Sequence, residues 1–174
     1  EFTPPKDWNR EQLAHYLSAQ AADMLAHWIP KIVQGELDLN PQNESVATFA
    51  PKLEKLDGWV RWDKSPREIE LQVQALGPWP RTYCEFELAG KPKVLLFLDK
   101  VEQQPEEHDP AAPGVIRELG KDYMDVACGP DGRSTIRVLQ VQKQGKSSMS
   151  AADFLRGTRL QNGDQLLTQA KSAL

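Results

Sequence analysis

The chain has 174 residues, with 25 Asp and Glu against 21 Lys and Arg, a formal net charge of −4 and 40% hydrophobic residues. That length suffices for one ordinary core plus an extension, and no apolar run approaches the roughly 18 to 20 residues of a membrane-spanning helix. With no signal-peptide pattern at the start either, the cytoplasm is the expected compartment; Cys84 and Cys128 are too few and too far apart for a zinc motif, and that setting disfavours a disulfide, so both are expected as core thiols.

A net negative charge argues against a nucleic-acid binder until its distribution is read. Residues 1–49 carry three bases and seven acids, which accounts for the whole imbalance. From Asp99 to Asp131 there are nine acids and three bases, whereas from Arg133 to Leu174 there are seven bases and two acids. One edge of the folded molecule is therefore expected to be electropositive.

In chain order, the first element is a helix from Asp7 to about Val33. Leu13, Tyr16, Leu17, Ala21, Met24, Leu25, Trp28 and Ile29 recur at the 3,4 spacing of an amphipathic helix, with Asp7 or Asn9 as its cap. His15 and His27 lie on it, twelve residues apart, and are read as helix surface or partial core rather than metal ligands. Residues 41–58 then read as a linker, rich in Asn, Pro, Ser and charge.

Ser65-Pro66-Arg67-Glu68 opens a second helix with Ser65 as cap and proline in its first turn. Ile69, Val73 and Leu76 mark its buried face, and Gly77-Pro78 ends it. Short strands follow at Thr82–Leu88, Lys93–Val101, Val115–Leu119, Tyr123–Cys128 and Thr135–Val141, the first two joined by a hairpin at Ala89-Gly90-Lys91-Pro92. Short strands with frequent turns favour a small β-barrel over an open sheet, so the fold class is mainly β with helices (α+β). Trp59, Trp62 and Trp79 could stack bases, but core or interdomain packing is the favoured reading for all three. The Gln103–Pro110 stretch, with His108, reads as a solvated acidic loop.

The closing segment is the most specific. Gln142-Lys143-Gln144-Gly145-Lys146-Ser147-Ser148-Met149-Ser150 is a basic turn feeding a helix at Ala151-Ala152-Asp153-Phe154-Leu155-Arg156. Ser150 and Asp153 have the spacing of a capping box, in which hydroxyl and carboxylate each satisfy a free amide, and Gly157 supplies the stop. Phe154 and Leu155 form an apolar anchor, while Lys143, Lys146, Arg156 and Arg159 crowd its flanks. Such an arrangement can hold an RNA backbone.

This string resembles the closing segment of the methionyl-tRNA formyltransferases: Gly-Lys, a variable pair, Met-Ser-Ala, then Asp-Phe-Leu and an arginine. The resemblance continues upstream in the same order. Pro41–Leu53 resembles the family's interdomain linker, Gly58-Trp59-Val60-Arg61-Trp62-Asp63 its Gly-x-Ile-x-Trp segment, and Pro78-Trp79-Pro80 its Pro-Trp-Pro turn. Several independent patterns in one order, over roughly residues 40–160, are more specific than any one of them.

The resemblance implies an OB-like barrel over residues 59–174, a linker over 41–58, and, in residues 1–40, the last helix of a catalytic domain whose sheet normally covers its apolar stripe. The family's formyl-transfer motifs lie upstream of all this and have no counterpart here. With the opening Glu1-Phe2, which an EcoRI cloning site encodes in one frame, this leads us to expect a carboxy-terminal piece of a longer chain. The whole enzyme would move a formyl group from 10-formyltetrahydrofolate to the amino group of methionine on initiator tRNA, with this part positioning the tRNA as a monomer and carrying no catalytic, cofactor or metal residue.

Lys52 and Lys55 sit where the family's linker contacts tRNA, although Glu54 and Asp57 interleave with them. Phe49 takes the place of a tyrosine, keeping its packing and losing a hydroxyl. The expected contact set is Lys52, Lys55, Lys143, Lys146, Arg156 and Arg159, with Arg133 and Arg137 depending on which side of the sheet each faces. Two alternatives stand beside this reading: the same architecture in a relative acting on another amine, such as that of a sugar nucleotide, or on formyltetrahydrofolate itself, and a stand-alone barrel that binds nucleic acid or protein.

Overall fold

A computed structural model describes residues 2–37, 40–87 and 92–167, which form two compact units, residues 1–53 and residues 54–174. The first contains α1, Arg10–Gln34. Of the two expected caps, Asn9 performs the role: its side chain accepts from the Gln12 amide at 3.0 Å while the Gln12 side chain accepts from the Asn9 amide at 2.9 Å. Phe2 stacks on Tyr16 with ring centroids 4.2 Å apart, and Trp8 leans on the same ring. The apolar stripe of Leu17, Met24, Leu25, Ile29 and Ile32 is exposed, and none of the residues of α1 is buried. Phe49, expected to keep its packing, is 96% exposed in the first unit.

The second unit holds the core. Its first helix is α2, Pro66–Leu76, started by a full capping box between Ser65 and Glu68, with Ile69, Val73 and Leu76 buried as their spacing requires. The strands are β1 (Thr82–Phe86), β2 (Val94–Gln104), β3 (Ile116–Leu119), β4 (Met124–Cys128), β5 (Ser134–Lys143), β6 (Met149–Ser150) and β7 (Leu166–Leu167), with α3 at Ala151–Arg156. Five match the sequence expectation to within a few residues. The two-residue strands β6 and β7 were not anticipated, and most of the expected hairpin loop, Ala89–Lys91, lies outside the described residues.

Every pairing in the sheet is antiparallel, in the order β3-β4-β5-β2-β1-β7, with β6 beside β5. The sheet curls until its two edges meet. A bridge joins Val115 to Gln165, Ile116 N–H donates to Asp164 O at 2.8 Å, and Leu166 N–H donates to Gly114 O at 2.8 Å. Inside lie Trp62, Phe86, Leu96, Ile116, Met124, Val126, Ile136, Val138 and Leu166. Phe154 of α3 closes one end, edge-on to Phe86 at 5.7 Å. The mixed α/β, curled antiparallel architecture is thus the one the strand and turn pattern implied.

Trp59 and Trp62 are buried, as expected of packing residues, and so are both cysteines, which are unpaired. Trp79, at 51% exposure, is not a core residue. Leu76 and Pro80 take the buried positions at the end of α2, so the bridge to β1 runs over the surface and leaves the indole outside.

Candidate nucleic-acid interface

The basic residues near the chain's end are gathered by one local unit. Strand β5 runs into a turn at 144–148, β6 returns alongside it with Gln140 opposite Ser150 and Val141 opposite Met149, and α3 follows at once. Within the turn, Lys146 N–H donates to Lys143 O at 3.0 Å, and Gly145 supplies the left-handed residue with φ 75° that a bend this tight needs.

Half of the expected capping box is made. Ser150 accepts from the Asp153 amide at 3.1 Å. The Asp153 carboxylate binds no free amide of the first turn; it accepts from the Ser150 hydroxyl at 2.7 Å and forms an ion pair with Arg156. The reason is competition: a nearby guanidinium and hydroxyl hold the carboxylate sideways. Gly157 ends α3 at φ −100°, outside the left-handed region, with its N–H bonded to the last carbonyls.

The nominated cations have different surroundings. Lys146 and Arg159 are exposed and form no ion pair among the described residues. Lys143 is half-buried; its ammonium donates to Thr158 Oγ1 at 2.9 Å and stands 5.0 Å from the Phe154 ring centre, so it braces the segment after α3. Arg156 is exposed but shares its charge with Asp153.

Arg137 is held at both ends of its guanidinium by Asp125, at 2.8 and 2.7 Å, and lies 3.7 Å from the Tyr123 ring centre. That doubly bonded carboxylate drives its pKa above the usual arginine value. Arg133 pairs with Asp131 at 3.2 Å, at the opposite end of β5 from Lys143. An extended strand of that length spans about 30 Å, so Arg133 cannot share a compact patch with Lys146.

Lys55 opens a 3-10 turn, Lys55–Gly58, which belongs to the barrel unit. The Tyr83 hydroxyl donates to Lys55 O at 2.7 Å, and Gln72 Nε2 donates to Asp57 O and Trp59 O, each at 3.0 Å. Lys52 falls in the other unit.

A row of side chains links Lys55 to the basic turn. Tyr83 on β1 is in register with Phe97 on β2, and Phe97 with Gln142 on β5, so all three lie on one face of the sheet. At one end Tyr83 holds the backbone of Lys55; at the other Gln142 donates from Nε2 to Lys146 O. Tyr83 and Gln142 are two strand spacings apart, about 10 Å.

One residue of this row was missed by sequence reasoning. Arg81 sits over Phe97, 4.2 Å from the ring centre, donates to Gln142 Oε1, and donates to Asp99 Oδ1 at 2.5 Å. Its φ of 68° is left-handed, a conformation that costs a non-glycine residue on the order of 1 kcal/mol and that these contacts offset. No local sequence signal announces it, since its partners come from strands far along the chain.

Two lysines whose backbones are held by one row of side chains, on a chain whose last 42 residues carry seven bases and two acids, give a surface suited to a polyanion. Residues 52–159 match the family described as formyl transferase, C-terminal domain. The chain belongs to that family. The chain is 31% identical over 164 residues to the methionyl-tRNA formyltransferase of Citrifermentans bemidjiense, covering 92% of this chain and 47% of the relative. It is 35% identical to that of Halalkalibacterium halodurans, covering 83% and 43%, and 36% identical to that of Magnetococcus marinus, covering 89% and 46%. The chain thus spans a little under half the length of these relatives. Among solved structures it is similar in fold to a variant of HypX from Aquifex aeolicus, with TM-score 0.53 and 17% identity over 88% of this chain and 27% of that one.

Proposed function

We propose that this chain is the tRNA-holding part of a methionyl-tRNA formyltransferase, built on an OB-like barrel and acting in translation initiation in the cytoplasm. The observation that supports the reading is the Tyr83–Phe97–Gln142 row, which bonds the backbone of Lys55 at one end and of Lys146 at the other, in the same unit as Arg156 on α3 and Arg159 just after it. The relatives' shared name supplies the substrate class.

The chemistry follows from what the cations can reach. An A-form stem hides its base edges in a deep groove and offers phosphates and 2′-hydroxyls, which exposed ammonium and guanidinium groups bind without reading sequence. Lys55, Lys146, Arg156 and Arg159 would orient the acceptor stem, Lys143 would brace α3, and Lys52 would add a contact from the first unit. The formyl donor of the whole enzyme, 10-formyltetrahydrofolate, would be bound outside this chain.

The test is binding to initiator and elongator tRNA over a salt series. The expected result is an affinity for both that falls linearly with the logarithm of salt concentration, with a slope that drops by about 1 for each phosphate-binding cation removed. Absence of binding at low salt would refute the reading.

A further inference from the structure

Asp99 is an acid in the middle of the proposed cationic face. It occupies a β-bulge: Leu98 is in register with Val141 and Lys100 with Gln140, so Asp99 has no partner across the strand. A bulge re-aims the extra residue's side chain. Here the carboxylate receives Arg81 Nη2 on Oδ1 at 2.5 Å and the Ser148 hydroxyl on Oδ2 at 2.5 Å. Its side chain is 20% exposed and that of Arg81 27%. Arg81 in turn bonds Gln142 Oε1, and Gln142 bonds the backbone oxygen of Lys146. The basic turn is therefore tied down twice, from Ser148 and from Lys146, and both ties lead back to one carboxylate.

Resting on the tRNA-binding reading, we propose that Asp99 is a positioning residue for nucleic-acid binding: through Ser148 and through Arg81–Gln142 it holds the Lys143–Ser148 turn so that Lys146 is already placed for a phosphate oxygen. An ordered cation loses less conformational freedom on binding than a free lysine, and the gain appears as affinity. The consequence runs against simple charge. Removing an acid from a cationic face strengthens polyanion binding if charge alone counts, whereas loss of the positioning role weakens it.

The experiment uses the full 174-residue chain and an initiator tRNA transcript, with Ser148→Ala, Asp99→Ala, Asp99→Asn and Lys146→Ala, alone and combined. Ser148→Ala changes no charge at an exposed position, which keeps the test intact should Asp99→Ala fail to fold. The expected result is that Ser148→Ala and Asp99→Ala each weaken binding about threefold to fivefold. Lys146→Ala should then cost less in either background than alone, a non-additivity that marks coupled residues. Asp99→Asn, whose amide can bond both neighbours, should restore most of the affinity. Equal or tighter binding by Asp99→Ala, or an unchanged cost of Lys146→Ala, overturns the proposal.

Hydrogen exchange at the Lys146 amide reads the same turn without tRNA. It should quicken in Ser148→Ala, and an unchanged rate overturns the positioning role even if the wild type binds no tRNA. Failure of the wild type to bind, with faster exchange in the variant, would instead refute the tRNA reading and leave the turn's anchoring in place.

Discussion

At the scale of single residues, the structure separates basic side chains that look alike in sequence. Arg137 and Lys146 lie nine positions apart on the same hairpin, yet one is clamped by Asp125 and Tyr123 while the other extends into solvent. Replacing Arg137 with alanine leaves Asp125, which is 7% exposed, without its two charge-assisted bonds. The expected loss is about 2 kcal/mol of stability, measured by urea unfolding, with the salt slope of tRNA binding unchanged. Cys128 gives a second prediction. Burial pushes its thiol up to about 12, and Cys84 is shifted the same way for the same reason. A raised folded value means that stability is complete below the unfolded thiol's pKa, about 8.5, and is lost as pH rises from there towards 12. Urea unfolding at pH 8.5 and pH 10 should show a decline about 2 kcal/mol smaller in Cys128→Ala than in the parent.

Among the elements, α2 illustrates how a cap and an apolar stripe make a helix legible. Ser65 accepts from the Glu68 amide, and the Glu68 carboxylate accepts from the Ser65 amide and hydroxyl at 3.1 and 2.7 Å. Those bonds hold the Glu68 carboxyl below its ordinary pKa, so the contribution of the box is present above the unfolded carboxyl's pKa and fades as pH falls through the folded value. Ser65→Ala should cost about 1 kcal/mol near neutrality and less in acid, as read from urea midpoints at the two pH values. Strands β1–β5 were equally legible, because short apolar or β-branched runs and the turn residues between them are local properties. The short strands β6 and β7 were not, since two residues become a strand only by lying beside β5 and β1. The same limit explains the site. The turn, the cap and the exposed lysines could be read from neighbours in the chain, whereas Arg81 and Asp99 acquire their roles from a bulge and from partners 18, 49 and 61 residues away. At Trp79 the sequence left core and interdomain packing open, and the structure gives the inner position to Pro80 instead.

Across the whole molecule, the two units differ in how much of each is buried. Helix α1 contains no buried residue, and an isolated helix of its length gains little from propensity alone. Strands β4 and β5 lie inside the sheet and contribute Val126, Ile136 and Val138 to the core. Native-state hydrogen exchange should therefore show α1 amides opening at low free energy, and β4 and β5 amides exchanging last, near the global unfolding limit. Uniform protection across both units would contradict that division.

The meeting of Val115 with Gln165 also bears on how the protein behaves in a crowd of its own kind. A strand with unpaired amides is an invitation to stacking with a neighbour, and stacked strands seed insoluble fibrils. Here residues 114–116 and 163–166 hydrogen-bond across the two edges of the sheet, so that stretch of edge is already paired. A variant that pries that seam open would recruit copies of itself before it lost its core, and cloudiness on standing, not a lower melting point, would be the first sign.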